Sequence, residues 1–357
     1  MQSLVRRLTV SPASARSLTI RLQRPSLARA QSLQSSRGAE PDMIRTDYLL
    51  IAGTAGAAVA PLVAAELGVA LTPCRVERFP DGEVSVEIGE TVRRREVVII
   101  QSTSPPVNDH LVELMLLADA CRRAAASHIT AIVPYFGYAR SDRRRGLRAP
   151  VSARAAATVL EASGIGHVVT VDVHAPQIEG FFSIPTDDIE AMPLLDAGIA
   201  PLLDAKTVVV APDLGAVRRA RDTSRRLQRP MALCLKHRRS GTEVEVTGVV
   251  GDVDGRSCII VDDMISTGAT VAESARALRA AGASEVLGVA ATHAVFAPGA
   301  AERLAGAGVR EVVVTDTVAP AATPWPASPV LHVVSVAPLL ARVIRRLEAG
   351  DSLRALG

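Results

Sequence analysis

The stretch CIIVDDMISTGATVAESARALRAAGASEVLGVAATHAVF (258–296) decides the fold. It opens on the apolar run Cys258–Val261, passes two adjacent carboxylates, Asp262 and Asp263, and enters a loop of small residues. Beyond the loop, Val271, Ala275 and Leu278 recur at i, i+4 and i+7, the spacing of one buried helix face. Gly282 then stands where a helix stops. A second β-branched run, Val286–Ala291, completes a strand–loop–helix–strand unit.

The unit occurs twice. VVIIQSTSPPVNDHLVELMLLADACRRAAASHITAIVPYF (97–136) lies beside it with the same order and a helix of similar length. Further apolar runs predict strands at Tyr48–Ala52, Val97–Gln101, Ile129–Pro134, His167–Val171, Thr207–Ala211, Ser257–Val261 and Glu311–Thr315. Continuous apolar strands separated by helices imply parallel sheets covered on both faces. The repeat implies two similar α/β domains, 43–189 and 190–357. Only the second copy keeps the carboxylate pair and the small-residue loop. The first has Gln101, Ser102 and prolines there, which suits a scaffold.

Composition sets limits on function. The 357 residues are 48% hydrophobic and 22% charged, as in globular proteins with ample core. No apolar run approaches a membrane span. Cys74, Cys121, Cys234 and Cys258 are far apart and form no C-x-x-C, which suits buried thiols in a reducing, cytoplasmic setting better than disulfides or zinc. The net charge of +3 is unevenly placed, since residues 1–39 hold seven arginines and no acid. The rest of the chain is therefore mildly acidic, which argues against a nucleic-acid surface. The basic segment 1–42 has the composition of a transit peptide, with organellar import as its consequence, or of sequence upstream of a start at Met43. It is left out of the predicted fold.

The loop Ser266, Thr267, Gly268, Ala269 and Thr270 offers backbone N–H groups and hydroxyls at a helix N-terminus, where partial positive charge favours anions. A phosphate there places an attached sugar near Asp262 and Asp263, whose oxygens accept hydrogen bonds from ribose hydroxyls. The bland alternative is a capped strand–turn–helix. Lys236 stands out on composition, because the chain has two lysines against 38 arginines. Lysine offers a compact, mobile charge that arginine does not imitate. Its surroundings, LKHRRSG (235–241), read as a polar, flexible loop.

VDDMISTGAT resembles the phosphoribosyl pyrophosphate (PRPP) signature of type I phosphoribosyltransferases and of the ribose-phosphate pyrophosphokinase family. The resemblance to the second runs from about Leu49 to the C-terminus. FPDGEVSVEI (79–88), IVPYFGYARSDRR (132–144), TVDVHAPQIEGFF (170–182), APDLGAVRRAR (211–221) and THAVF (292–296) match it in order. It implies two tandem type I phosphoribosyltransferase-like domains, each a mostly parallel sheet flanked by helices. It also implies a ribose-phosphate diphosphokinase, in which the 1-hydroxyl of ribose 5-phosphate attacks the β-phosphorus of Mg-ATP to give PRPP and AMP. Such a product serves nucleotide, NAD, histidine and tryptophan biosynthesis.

By that resemblance Phe79, Asp81, Gly82 and Glu83 contact ATP, often from a neighbouring subunit, together with Arg140 and Ser141. His174 and Asp213 serve Mg²⁺, with Asp172 a further contributor. Lys236 and Arg238 form the catalytic loop, and Arg238 also assists ribose 5-phosphate binding. Asp262, Asp263 and Ser266 to Thr270 hold the ribose 5-phosphate. A homo-oligomer of even number, built from dimers, follows from the shared ATP site, with neither nucleic acid nor membrane as partner.

Each site has a plainer reading: DGE as a turn, Arg140–Arg148 as a solvated face, His174 as a structural histidine and LKHRRSG as a surface loop. Three positions also depart from the family pattern. Ser266 replaces an aspartate, and Ala269 and Ala216 replace glycines, so Ala269 demands negative φ or strain. The segment Arg144–Pro150 is slightly short, which puts phosphate activation and ADP inhibition in doubt. The alternatives are a non-catalytic regulatory homologue and a PRPP-consuming phosphoribosyltransferase. The first tends to lose catalytic residues that this chain keeps. The second leaves FPDGE and YARSD unexplained.

Overall fold

Alternating β-branched residues along each strand put apolar side chains on both faces, so each sheet needs helices on both sides. The computed structural model, which describes residues 6–7, 48–144, 146–238, 244–319 and 325–356, shows two such sheets. Up to residue 190 the elements are β1 (Arg6–Arg7), β2 (Tyr48–Ala52), α1 (Ala60–Leu67), β3 (Cys74–Arg78), β4 (Val84–Ile88), β5 (Glu96–Ile100), α2 (Val107–Arg123), β6 (His128–Val133), α3 (Ser152–Ala162), β7 (His167–Val171) and β8 (Thr186–Ile189). Strands β2-β5-β6-β7-β8 form a five-stranded parallel sheet, and β3 and β4 stand apart as an antiparallel hairpin.

The second half continues with α4 (Met192–Ile199), β9 (Val208–Ala211), α5 (Val217–Leu227), β10 (Met231–Arg238), β11 (Val244–Val250), β12 (Ser257–Ile265), α6 (Ala269–Ala280), β13 (Glu285–Ala294), α7 (Ala300–Gly306), β14 (Glu311–Thr315), β15 (Val330–Val334) and α8 (Ala337–Ala349). Its sheet runs β1-β15-β14-β13-β12-β9-β10-β11, parallel except for the edge strands β1 and β11. Among the described residues no helix is long and apolar enough to cross a membrane.

Four cores result. Val97 and Ile99 pack under α2 and α3, while Val98 and Ile100 pack on the other face under α1 and α8. Cys258 and Ile260 meet Val271, Ala275 and Leu278 of α6, and Ile259 and Val261 meet α4 and α5. Each fully buried Leu or Ile contributes about 1.5–3 kcal/mol relative to exposure. The C-terminal helix α8 therefore returns to the first sheet, where Leu339, Leu340, Val343 and Ile344 are buried.

Two local expectations differ from the structure. β12 does not stop at Val261 but runs to Ile265, because β13 continues to Ala294 and pairs with it through Ile265↔Ala294. Asp262 and Asp263 thus belong to the strand. The segment from Leu235 is likewise not a loop as far as Arg238. It continues β10, paired with Val244 and Val246 of β11, with a ladder irregularity between Leu235 and Lys236. Residues 239–243, the remainder of LKHRRSG, and the side chains of Lys236 and Arg238 lie outside the described residues.

Candidate active site

In the second sheet α5 covers one face and α6 the other. The chain leaves β9 toward α5 and leaves β12 toward α6, so the two loops diverge between adjacent parallel strands. Such a switch point opens a crevice at the carboxyl ends of the strands. Asp213 follows β9, and the carboxylate pair lies within the last residues of β12. Asp213 Oδ1 accepts from the N–H groups of Gly215 (2.9 Å) and Ala216 (3.3 Å) and so caps the short turn Leu214–Ala216.

Asp262 and Asp263 behave as one coupled pair. The backbone N–H of Asp263 donates to Asp262 Oδ1 at 2.9 Å. Burial, and then the charge of Asp263, hold Asp262 well above the usual carboxylate range, with Asp213 adding to the rise. Asp263 is buried too, which alone would lift it. The hydrogen bond from His174, with the charges of Arg219 and His174, instead keeps it well below that range. The two carboxyls are thus pushed in opposite directions, Asp262 upward chiefly by burial and Asp263 downward by its His174 partner and the nearby positive charges.

Asp263 reaches across to the first half of the chain. His174 Nδ1 donates to Asp263 Oδ2 at 2.6 Å. His174 lies just past β7, and the turn that presents it contains Asp172 at φ +44°. Asp172 Oδ2 accepts from the Thr292 hydroxyl of β13 at 2.5 Å. Ser102, past β5, donates to the Thr317 carbonyl, past β14, at 2.5 Å. Tyr135, past β6, sets its ring edge against His293 at 5.0 Å. Strand ends of both sheets thus face each other, and the crevice lies between them.

The loop Ser266–Thr270 starts α6. Gly268 holds the positive φ, +73°, and α6 begins at Ala269, whose N–H donates to Thr267 Oγ1 at 3.4 Å. The strain expected at Ala269 therefore falls on a glycine, and the positive end of the helix favours an anion there. Ala216 is similarly unstrained, at φ −86° and buried. The loop is pinned from behind, where Ala297 N–H donates to the Ser266 carbonyl at 3.0 Å and Arg303 donates to the Thr267 carbonyl.

Arg140 and Ser141 follow β6 in the turn that leads to α3. Ser141 N–H donates to the Tyr138 carbonyl at 2.8 Å, and Tyr138 has φ +64°. Burial pushes the Tyr135 hydroxyl up, the charge of Arg140 opposes the rise, and Asp263 adds to it. Arg140 and Asp263 therefore act on the same buried ring. Phe79, Asp81, Gly82 and Glu83 form the tip of the β3–β4 hairpin. There Glu83 N–H donates to Asp81 Oδ1 (3.1 Å), Gly82 has φ +96°, and Phe79 is 48% exposed. Arg78 at its base pairs with Asp109 of α2 at 2.7 Å.

Sequence reasoning missed Tyr135, Thr292, His293 and Thr317, which carry the junction, and Arg219, whose charge acts on Asp262 and Asp263. The Thr-His pair inside an apolar strand was the available signal. Arg219 is one arginine among 38 and carried none. In the first copy, Gln101 stands where the second has Asp262. Its Oε1 accepts from the N–H groups of Ala55 (2.9 Å) and Gly56 (3.2 Å), so that position is taken up by the protein's own backbone.

Among the described residues no three His, Cys, Asp or Glu side chains converge as a metal-binding group. The donors around the crevice are carboxylates with one imidazole. They fit a hard ion that takes oxygen ligands from one or two carboxylates and completes its shell with water and substrate phosphate.

Comparisons with known proteins agree along the chain. Residues 48–164 match the N-terminal domain of ribose phosphate pyrophosphokinase, and residues 238–356 match the phosphoribosyl synthetase-associated domain. Ribose-phosphate pyrophosphokinase of Bradyrhizobium diazoefficiens is 44% identical over 308 residues, covering 86% of this chain and 96% of that one. The Haemophilus influenzae protein of the same name is 44% identical over 313 residues, covering 87% and 99%. The crystal structure of phosphoribosylpyrophosphate synthetase from Mycobacterium smegmatis superposes with a TM-score of 0.78 at 40% identity, covering 86% of this chain and all of that one.

Proposed function

Because the chain belongs to the ribose-phosphate pyrophosphokinase family, we propose that the facing strand ends of its two halves form one active site. The chain is an enzyme of that family, a transferase that passes the diphosphate of ATP to ribose 5-phosphate. Ribose 5-phosphate sits with its phosphate on Ser266–Thr270 and its hydroxyls toward Asp262 and Asp263. The observation that supports this arrangement is the His174–Asp263 bond of 2.6 Å, which joins residues from both halves at the mouth of the crevice.

ATP lies between Arg140 with Ser141 and a hairpin tip formed by Phe79, Asp81, Gly82 and Glu83. The ribose 1-hydroxyl attacks the β-phosphorus, the bond to the α-phosphate oxygen breaks, and AMP leaves. Lys236 neutralises charge developing on the transferred group, and Arg238 assists it and contacts the ribose 5-phosphate. His174 and Asp213 would hold Mg²⁺, which when bound would supply charge neutralisation at the phosphate oxygens. With Nδ1 engaged by Asp263, His174 keeps Nε2 for that side. Asp263 orients the imidazole through its hydrogen bond to Nδ1.

The same reading divides the chain into 1–42, 43–189 and 190–357, with α8 of the last segment packed on the sheet of the second. It makes the enzyme a cytoplasmic homo-oligomer of even number, since the exposed hairpin tip suits use by a neighbouring protomer. The test is incubation of the purified full chain with Mg-ATP and ribose 5-phosphate. AMP and PRPP are expected in equal amounts. Folded protein that forms no AMP above background overturns the proposal.

A further inference from the structure

We propose that His293, together with Thr292, is a positioning residue that sets His174 against Asp263 from across the junction. The proposal rests on the reading of His174 as a group facing the transferred phosphates.

The turn between β7 and His174 is not self-supporting. Asp172 adopts φ +44°, a conformation that residues with a side chain hold only where the surroundings enforce it. Four hydrogen bonds do so. Two come from β8 and the residues just past it, as Asp172 N–H donates to the Ile189 carbonyl at 3.0 Å and Ala191 N–H donates to Asp172 Oδ2 at 3.2 Å. Two come from β13. The Thr292 hydroxyl donates to Asp172 Oδ2 at 2.5 Å, and His293 Nε2 donates to the Asp172 carbonyl at 3.3 Å.

A carbonyl only accepts, so the hydrogen bond fixes the tautomer with the proton on Nε2. Nδ1 must then accept, and the Thr317 hydroxyl stands 2.9 Å away to donate. The threonines behind it complete the chain of donors, with the Thr315 hydroxyl on the Thr292 carbonyl at 2.6 Å and Thr317 N–H on Thr315 Oγ1 at 3.2 Å. Burial keeps the His293 imidazole neutral, as this pattern requires.

Register shows why this matters for the site. His293 pairs with Met264, the residue after Asp263, on the adjacent strand. Neighbouring strands of one sheet therefore grip one turn at two points. Asp263 holds the imidazole of His174, and His293 holds the backbone of Asp172 two residues before it. A purely apolar strand end would leave the turn free to tilt, and small misplacements of a reacting group are costly.

The test is a double-mutant cycle on the full chain with Mg-ATP and ribose 5-phosphate. His293→Leu removes both ring hydrogen bonds and is expected to lower kcat about 10- to 100-fold, with the KM for ribose 5-phosphate changed by less than about threefold because those bonds run to Asp172 and Thr317 and not to Ser266–Thr270. His293→Gln, whose amide can still donate to the Asp172 carbonyl, should recover most of the loss. In a His174→Ala background, His293→Leu should cost less than about twofold more, because the group it positions is gone. The same factor lost in both backgrounds would mean a structural role and overturn the proposal, as would full kcat in His293→Leu. Full turnover in His174→Ala alone would overturn the underlying reading of His174 and the proposal with it. Should His293→Leu be insoluble, Thr292→Val, which removes only the hydroxyl to Asp172, carries the same cycle with the same outcomes.

Discussion

Burial of His293 gives the protein an acid sensitivity whose size follows from the structure. The ring is 2% exposed, and its burial lowers the pKa to about 4 from an ordinary 6.5. The folded state therefore binds a proton less readily than the unfolded chain. The stabilisation is fully present above 6.5 and is lost as the pH falls toward 4. A gap of about 2.5 units corresponds to about 3 kcal/mol, of which about 2 kcal/mol is gone by pH 5. The wild-type curve alone would conceal this. Asp172, raised to about 6 chiefly by burial, works in the opposite direction over the same interval. Comparison with His293→Gln separates the two, since the variant keeps the carboxylates and lacks the titrating ring. Urea unfolding at pH 7, 6, 5 and 4 should show the variant gaining about 3 kcal/mol on the wild type between the extremes. Parallel stability curves would refute the argument, for they would mean that His293 is equally protonated in both states.

Three further outcomes are expected. Lys236→Ala should lower turnover by several powers of ten while ribose 5-phosphate binding, measured calorimetrically, survives, if the lysine acts on the transferring group as proposed; equal loss of both would assign it a structural role. Gly268→Val introduces a Cβ 3.3 Å from the Ala300 carbonyl oxygen at φ +73°, so the loop should distort at a cost of about 1–2 kcal/mol. The KM for ribose 5-phosphate should rise at least about tenfold, and an unchanged KM would remove the loop from the phosphate site. Leu340→Ala empties a fully buried position where α8 meets the first sheet. It should destabilise the fold by about 2–5 kcal/mol, read as a shift in urea midpoint, and a shift under 1 kcal/mol would mean that α8 is not integral to that core.

Much of this molecule is legible along the chain. The runs at Tyr48–Ala52, His167–Val171 and Glu311–Thr315 are strands with those bounds, because continuous β-branched segments bury on both faces wherever the sheet lies. The periodicity of Val271, Ala275 and Leu278 specified the buried face of α6 for the same local reason. Motif order carried the family, and the paired aspartates with their small-residue loop marked the crevice. Element ends were less legible. β12 runs past its aspartates, and β10 past Lys236, because partner strands continue alongside them.

Sequence by itself determined the α/β architecture, its internal repeat and the family, and supplied the residues proposed for the site. All of these rest on patterns repeated within a few residues or on motifs quoted in order. Tertiary structure alone decided how the site is assembled. The His174–Asp263 bond spans 89 residues of chain and the Thr292–Asp172 bond 120. It also decided that the two aspartates are pushed in opposite directions, that α8 closes the first sheet, and that the Thr-His pair of β13 faces the turn before His174. No local pattern encodes those pairings, since each depends on strand ends of two different sheets meeting in the fold.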